Sequence, residues 1–271
     1  AYIYRNPVSG CTDPYANNYD EEATINNGTC FGYPQEGENA LSYDGIDDLV
    51  DISVNVDNDF TLMGWLYYNT ADDGNAILAS SSNDFLRLDQ NRLGYNSPTG
   101  ANHIGSTTLE NQSWYHFAVV RSDVNLDFFI NSINDGSFNE SQNSLEWIKI
   151  GVHRNGYQHM FNGMLDQISI WNVALTQDQV ASFMDTDFDG NEDGLVALWK
   201  FNSGDGDILY DHSGNSNHGT IHGATWVNGH SWLDPRRSIH ITGTSGYRIL
   251  SSPVSGNVYG DLLEELWTQG A

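Results

Sequence analysis

An all-β domain, built as a sandwich or barrel, is what this sequence predicts. From Asn39 onward, short apolar runs are broken at close intervals by Gly, Asn, Asp and Ser, the spacing of strands joined by turns. Val50, Ile52, Val54 and Val56 alternate with polar residues, as a strand with one buried face must. The longer runs Phe60 to Tyr68 and Trp114 to Val120 are rich in aromatic and β-branched residues, which pack well on a pleated surface. A chain of 271 residues holds one such domain with small flanking pieces.

Residues 1 to 35 form the first piece. They are polar and punctuated by Asp13-Pro14, Asn17-Asn18 and Asn27-Gly28, and only Tyr15, Tyr19 and Ile25 offer burial. Both cysteines of the chain, Cys11 and Cys30, fall here. Two cysteines without a second pair or adjacent histidines make a poor zinc site; they are expected to form one disulfide, which implies an oxidising, extracellular setting. Closing a loop of that size stabilises it by roughly 3 kcal/mol.

The second piece runs from 36 to 232. Beyond the strands already named, Leu126 to Ile130, Ile148 to Val152, Met164 to Trp171 and Leu195 to Phe201 read as further strands, and Asn134-Asp135-Gly136 carries the Asp-Gly signal of a hairpin turn. One helix is expected. Thr176 and Gln179 form a capping box, after which Val180, Phe183 and Met184 share a face. From 233 to 271 the polar break Asp234-Pro235-Arg236-Arg237 leads into a strand-rich tail around Ile239 to Ile241 and Tyr247 to Leu250, then a short amphipathic stretch at Leu262, Leu263 and Leu266. This tail is either the beginning of a following module or a strand donated to a neighbour's sheet in head-to-tail self-assembly, the other end of the chain carrying a short strand-like piece, Tyr2-Ile3-Tyr4.

The 36 acidic residues against 10 basic ones give a formal charge of −26. Such a surface repels nucleic acid and anionic lipid, and no apolar run approaches the ~20 residues of a membrane span. The opening AYIYRNP lacks the features of a signal peptide, so the sequence reads as a mature or internal fragment.

Several segments resemble known families. GCTDPYANNYDEEATINNGTC (residues 10–30) resembles short cysteine modules of large secreted bacterial surface proteins of the Bacteroidetes type, which look like stapled spacers. ALSYDGIDDLVDI, FTLMGWLYY, WYHFAVVRSDVNLDFFINS, FNGMLDQISIWNVALTQDQV and GLVALWKFNSGDGDILYDHSGNSNHGTIHGATW resemble, in order, the segments of laminin-G-like (concanavalin A-like) domains. That resemblance implies an antiparallel jelly-roll β-sandwich with a structural calcium ion. The ligands it implies are Asp44, Asp166 and Asp211, with Asn215 and the backbone carbonyl of His218; Asp47 and Asp48 are in reserve. Calcium takes six to eight oxygens in irregular geometry, which loops at strand ends can supply. The alternative is that these side chains cap turns.

A second oxygen-rich run, Asp185, Asp187 and Asp189 with Gly190, copies half of an EF-hand loop but has Val196 where the bidentate glutamate belongs. It is either a second calcium site or a solvated acidic turn. His116 sits inside an apolar strand and is expected in the core or on a sheet face, while His212, His218 and His222 are not spaced as zinc ligands. Paired catalytic carboxylates, a nucleophile elbow and a phosphate loop are all missing from the pattern, so a non-enzymatic role is expected. Tyr95, Trp147 and Tyr157 are candidate loop aromatics for stacking on sugars. Sequons begin at Asn27, Asn111 and Asn139. The functional expectation is a secreted, calcium-stabilised adhesion or assembly protein, possible subunit of a surface filament or matrix, which self-associates or binds other surface proteins. Its alternative is a carbohydrate-binding module of a polysaccharide-degrading system.

Overall fold

The structure is a computed structural model, and it describes residues 6–34, 37, 39–69, 75–97, 100–140, 144–184, 186 and 188–228. In chain order the strands are β1 (Ser9–Gly10), β2 (Ile25–Asn26), β3 (Asn39–Asp44), β4 (Leu49–Val56), β5 (Phe60–Tyr68), β6 (Asn75–Ser80), β7 (Phe85–Asp89), β8 (Arg92–Asn96), β9 (Asn102–Ile104), β10 (Trp114–Ser122), β11 (Asn125–Ile130), β12 (Ile133–Asn139), β13 (Leu145–Ile150), β14 (Asn162–Trp171), β15 (Leu195–Trp199), β16 (Ile208–Leu209), β17 (Gly219–His222) and β18 (Thr225–Asn228). One helix, α1 (Gln177–Met184), lies between β14 and β15.

Two antiparallel sheets carry the jelly roll. The first runs β12-β11-β10-β5-β14-β3-β18, with β15 also paired to β14; the second runs β16-β17-β4-β13-β6-β7-β8-β9. Alternation along each strand sends one set of side chains inward. Val50, Ile52, Val54 and Val56 of β4 meet Leu62, Leu66, Phe117, Val119, Leu165 and Ile168 of the facing sheet in one core. This is the expected sandwich.

Helix α1 forms at its predicted place because its cap is complete. The Thr176 amide donates to Gln179 Oε1 at 2.9 Å, and the Gln179 amide returns a bond to Thr176 Oγ1 at 3.3 Å. Its Val180 and Phe183 pack with Trp171, Leu175 and Phe188 on the outer face of the first sheet.

The hairpin signal at Asn134-Asp135-Gly136 is misplaced. The β11–β12 turn is Asn131-Ser132, both left-handed (φ 49° and 62°), whereas Asn134 to Gly136 lie inside β12, where the pairing shifts register. Asp135 is the extra residue of that irregularity, and its Oδ1 accepts the Thr107 amide at 2.7 Å. Strands β6 to β9 have no counterpart among the strands expected from the sequence.

The cysteine module is closed by a Cys11–Cys30 disulfide and a short parallel β1–β2 pair. Its small core is Cys11, Ala16, Cys30 and Tyr33 against Tyr210. Tyr15, Tyr19 and Ile25, the residues expected to be buried, are about half exposed (47%, 48% and 50%). The module also does not behave as a free spacer, because it is bonded to the 211–218 loop. Asn26 Nδ2 donates to the Gly214 carbonyl at 3.1 Å, and a Cβ on Gly214 would fall 2.6 Å from the Gly28 carbonyl oxygen. Gly214 is left-handed (φ 78°), so a side chain there meets both backbone strain and a collision. The tail beyond 228 and the strand expected at Tyr2 to Tyr4 lie outside the described residues.

Candidate functional site

Asp211 is fully buried, and all its acceptor capacity is used. Oδ1 accepts the Leu198 and Ser213 amides, each at 2.9 Å, while Oδ2 accepts the Asn217 amide at 2.9 Å and Ser213 Oγ at 2.8 Å. Burial holds its carboxyl above the usual carboxylate range, the backbone donors offsetting only part of that rise. Asn215 turns its amide onto the Val196 carbonyl at 3.0 Å. The Asp-rich loop therefore folds onto the edge of β15 through side-chain-to-backbone bonds.

His218 ties that loop to the cysteine module. Its Nδ1 accepts the Asp211 amide at 2.8 Å, so Nε2 carries the proton and donates to Asp13 Oδ2 at 2.6 Å. Burial alone would push the Asp13 carboxyl up, but the Tyr15 amide, the Tyr33 hydroxyl and His218 hold it below the usual range. Tyr15, Tyr33 and Tyr210 pack edge-on around the His218 ring. Sequence reasoning missed this side-chain role, reading only the His218 carbonyl.

The expected trio of Asp44, Asp166 and Asp211 does not meet. Asp44 is opposite Asn162 in the β3–β14 register, and Asp166 is four residues farther along β14, about 13 Å at ~3.3 Å per residue. Among the described residues, the one group of three acidic, His or Cys side chains with ligand atoms within 4.8 Å is Asp44, Asp47 and Asp48. Of the weaker second set, Asp185 and Asp187 lie outside the described residues. Asp189 is exposed, and its loop is closed by Glu192, which accepts the Asp189 and Gly190 amides at 2.9 and 3.0 Å.

The Asp44–Asp48 turn carries the chain from one sheet to the other. Asp48 Oδ2 accepts the Asp44 amide and Asp44 Oδ1 accepts the Ile46 amide, both at 2.7 Å. Asp48 is 6% exposed, and burial raises its pKa, with Asp44 and Asp47 adding repulsion. Gly223, left-handed at φ 76°, brings its backbone so close that a Cβ would lie 2.3 Å from Asp48 Oδ1. Three carboxylates crowded together with no Lys, Arg or His ion pair among the described residues have the hard-oxygen chemistry a calcium ion takes.

Another polar concentration is the outer face of the second sheet. Core residues Leu86, Leu88, Leu93 and Tyr95 point inward, so Phe85, Arg87, Asp89, Arg92, Gly94 and Asn96 take the opposite face. Register aligns Arg87 with Gly94, and Phe85 with Asn96 and through it Asn102. Arg87 Nη2 bonds Asp89 Oδ2 at 2.6 Å and Asn102 Oδ1 at 3.0 Å, while Asn102 Nδ2 donates to Asp89 at 3.2 Å. The Arg87 guanidinium also lies 5.4 Å from the Phe85 ring centroid.

The β13–β14 loop arches over this surface. His153 meets the Phe85 ring edge-on at 4.9 Å and His159 stacks on it at 5.6 Å; burial is the main cause lowering the His153 pKa. Tyr157, at the crest, is 72% exposed. The other two aromatics proposed for sugar contact are corrected by the fold. Tyr95 and Trp147 are both 0% exposed, because they are inward positions of β8 and β13 rather than loop residues.

A family model described as the concanavalin A-like lectin/glucanases superfamily matches residues 44–181. The chain belongs to that superfamily. Among solved structures, a protein from Bacteroides ovatus, provisionally assigned as carbohydrate binding, superimposes with a TM-score of 0.61 at 18% identity, covering 73% of this chain and 62% of that one. This superfamily sandwich thus spans less than two thirds of that chain's length. The native heptameric SAP-like pentraxin of Limulus polyphemus aligns with a TM-score of 0.47 at 16% identity over 53% of this chain and 80% of its own. The carbohydrate-binding domain of a Ruminococcus gnavus sialidase, bound to α2,3-sialyllactose, gives a TM-score of 0.42 at 8% identity over 47% and 83%. No curated protein matches the chain. Among the described residues no helix is long and apolar enough to cross a membrane.

Proposed function

We propose that the protein is a non-catalytic carbohydrate-binding domain acting outside the cell, and that its glycan surface is the outer face of the second sheet with the loop carrying Tyr157. The observation that carries this reading is the Arg87–Asp89–Asn102 network. It sets planar donors and acceptors side by side on a rigid sheet, with Arg87 and Asp89 largely covered (9% and 6% exposed) and Tyr157 exposed on the neighbouring loop. Preorganised planar polar groups beside an aromatic face suit a ligand with hydroxyls on its rim and C–H groups on its faces. Superfamily membership and the likeness to the Bacteroides ovatus fold support it, and the disulfide supports an oxidising compartment. The resemblance of the cysteine module supports a setting within a larger secreted surface protein of the Bacteroidetes type. Assembly into filaments has less support, since the chain ends it invoked are outside the described residues.

Affinity electrophoresis of the full chain against a panel of plant, algal and animal polysaccharides is the direct test. Binding is expected for at least one, and Tyr157→Ala weakens it roughly fivefold, the ~1 kcal/mol of an aromatic contact. A panel with no binder, or a Tyr157→Ala variant that binds as well as the native protein, overturns the proposal.

We also propose calcium at Asp44, Asp47 and Asp48 in place of the trio first expected. The ion would neutralise carboxylates that otherwise repel one another. At 100 times its dissociation constant it would add about 2.7 kcal/mol of stability. Calcium therefore raises the melting midpoint, chelator lowers it, and Asp47→Asn removes most of the response while itself melting higher in chelator. An unchanged midpoint with no calcium in elemental analysis refutes the site.

A further inference from the structure

We infer that the glycan taken by this face is acidic, a carboxylated or sulfated polysaccharide; the inference rests on the glycan reading above and names its ligand class. The starting point is where the few cations go. Six lysines and arginines fall among the described residues: Arg87, Arg92, Arg121, Lys149, Arg154 and Lys200. Four of them, Arg87, Arg92, Lys149 and Arg154, belong to the outer face of the second sheet or the loop over it. Arg87 and Arg92 alternate with inward Leu86, Leu88 and Leu93. Lys149 pairs in register with Asp51 and Ala79, and Arg154 follows His153 in the arching loop.

Acidic residues are sparse on the same surface although they outnumber basic ones 36 to 10 in the chain. The described strands of this face present three, Asp51, Asp89 and Glu146, and each is engaged. Asp89 holds Arg87, Asp51 holds Lys149 and His222, and Glu146 accepts Ser53 Oγ at 3.2 Å.

Two guanidinium groups are left facing neutral amides. Arg92 Nη2 reaches Gln90 Oε1 at 3.4 Å, and Arg154 Nη2 reaches Asn83 Oδ1 at 2.6 Å; both bonds are exposed. In a chain so rich in carboxylates, a half-buried Arg92 and an exposed Arg154 with no carboxylate ion pair among the described residues are an exception. Arginine's fork matches carboxylate and sulfate oxygens bidentately.

The arrangement also argues for a chain rather than a single anion. Arg154 lies by Asn83 before the start of β7, Arg87 at its middle, and Arg92 on β8 opposite Asp89, level with the last residue of β7. Strand β7 alone spans about 13 Å at ~3.3 Å per step, so Arg154 and Arg92 stand apart along the sheet with the Asp89-paired, buried Arg87 between them. Gly94, opposite Arg87 in register, leaves the floor between them low. The net charge of −26 repels polyanions elsewhere on the molecule, so an acidic polymer would be steered to this one stripe.

The test uses the full chain in chelator, so that calcium cannot bridge carboxylates, and matched ligands differing in charge. Polygalacturonate is compared with its methyl-esterified form, and carrageenan with agarose. The acidic member of at least one pair is expected to bind at least about tenfold tighter than its neutral counterpart. Binding should vanish toward 1 M salt, where the screening length is about 3 Å. Arg92→Gln and Arg154→Gln should each weaken it about tenfold, as loss of a charged hydrogen bond does, with circular dichroism and melting unchanged. Neutral members bound as well as acidic ones would overturn the inference and leave the glycan reading standing. No binding of any polysaccharide would remove both. A DNA oligonucleotide or polyglutamate bound as tightly as the polysaccharides would show that the stripe reads charge alone, and would also overturn it.

Discussion

Replacing Asp211 by alanine is expected to lower the unfolding free energy by about 3–5 kcal/mol, because four donors lose their acceptor in a buried site. Those donors are the amides of Leu198, Ser213 and Asn217 and the Ser213 hydroxyl. The Leu198 amide belongs to β15 beside the core, where water cannot easily replace the carboxylate. Loss of the bond frees the 211–218 loop, and with it the His218–Asp13 link to the cysteine module. Asp211→Asn keeps the shape but exchanges an acceptor oxygen for a donor, so it should fall between native and alanine. Urea denaturation of the three proteins measures the series. A loss below about 1 kcal/mol for Asp211→Ala would mean that the loop is held by other contacts.

Acid is expected to cost the protein about 3 kcal/mol between pH 7 and pH 4 through one histidine. His116 stands on β10 beside Trp65 and is 2% exposed, and burial pushes its pKa from 6.5 to about 3. The unfolded chain takes up a proton below about 6.5, whereas the folded chain resists until about 3. The unfolded state therefore binds more protons in that window, so stability falls as pH falls, by about 1.4 kcal/mol per unit. The effect is absent above pH 7 and levels off near 3. His116→Gln should flatten this part of the profile. A native stability curve level from pH 7 to 4.5, or a variant with the same slope as the native protein, would rule the mechanism out.

Comparison of particular residues shows why some features were legible and others were not. The capping box at Thr176 and Gln179 was readable because its two bonds join residues three apart. The alternation in β4 was readable because side-chain period is local. Trp147 is not legible as a core residue because the expected strand begins at Ile148, whereas β13 begins at Leu145 and the added residues turn Trp147 inward. The Asn-Asp-Gly run was misread because a register shift absorbed it within β12, while the less conspicuous Asn131-Ser132 took the turn. Strands β6 to β9 escaped notice because Ala, Asn, Arg and Gly interrupt their apolar residues, and those interruptions make the polar outer face.

By itself, then, the sequence determined the all-β class, the position of the helix, the cysteine pair, the excess of acid and the superfamily segments, since each depends on composition or on neighbours a few residues apart. Only the tertiary structure decided which distant groups meet. It separated Asp166 and Asp211 from Asp44, gathered Asp44 with Asp47 and Asp48, docked the cysteine module through Asp13 and His218, and aligned Arg154, Arg87 and Arg92 on one face. Those outcomes depend on strand register, and a shift of a single residue in register exchanges the buried and exposed faces of a strand. No local pattern in the chain carries that information.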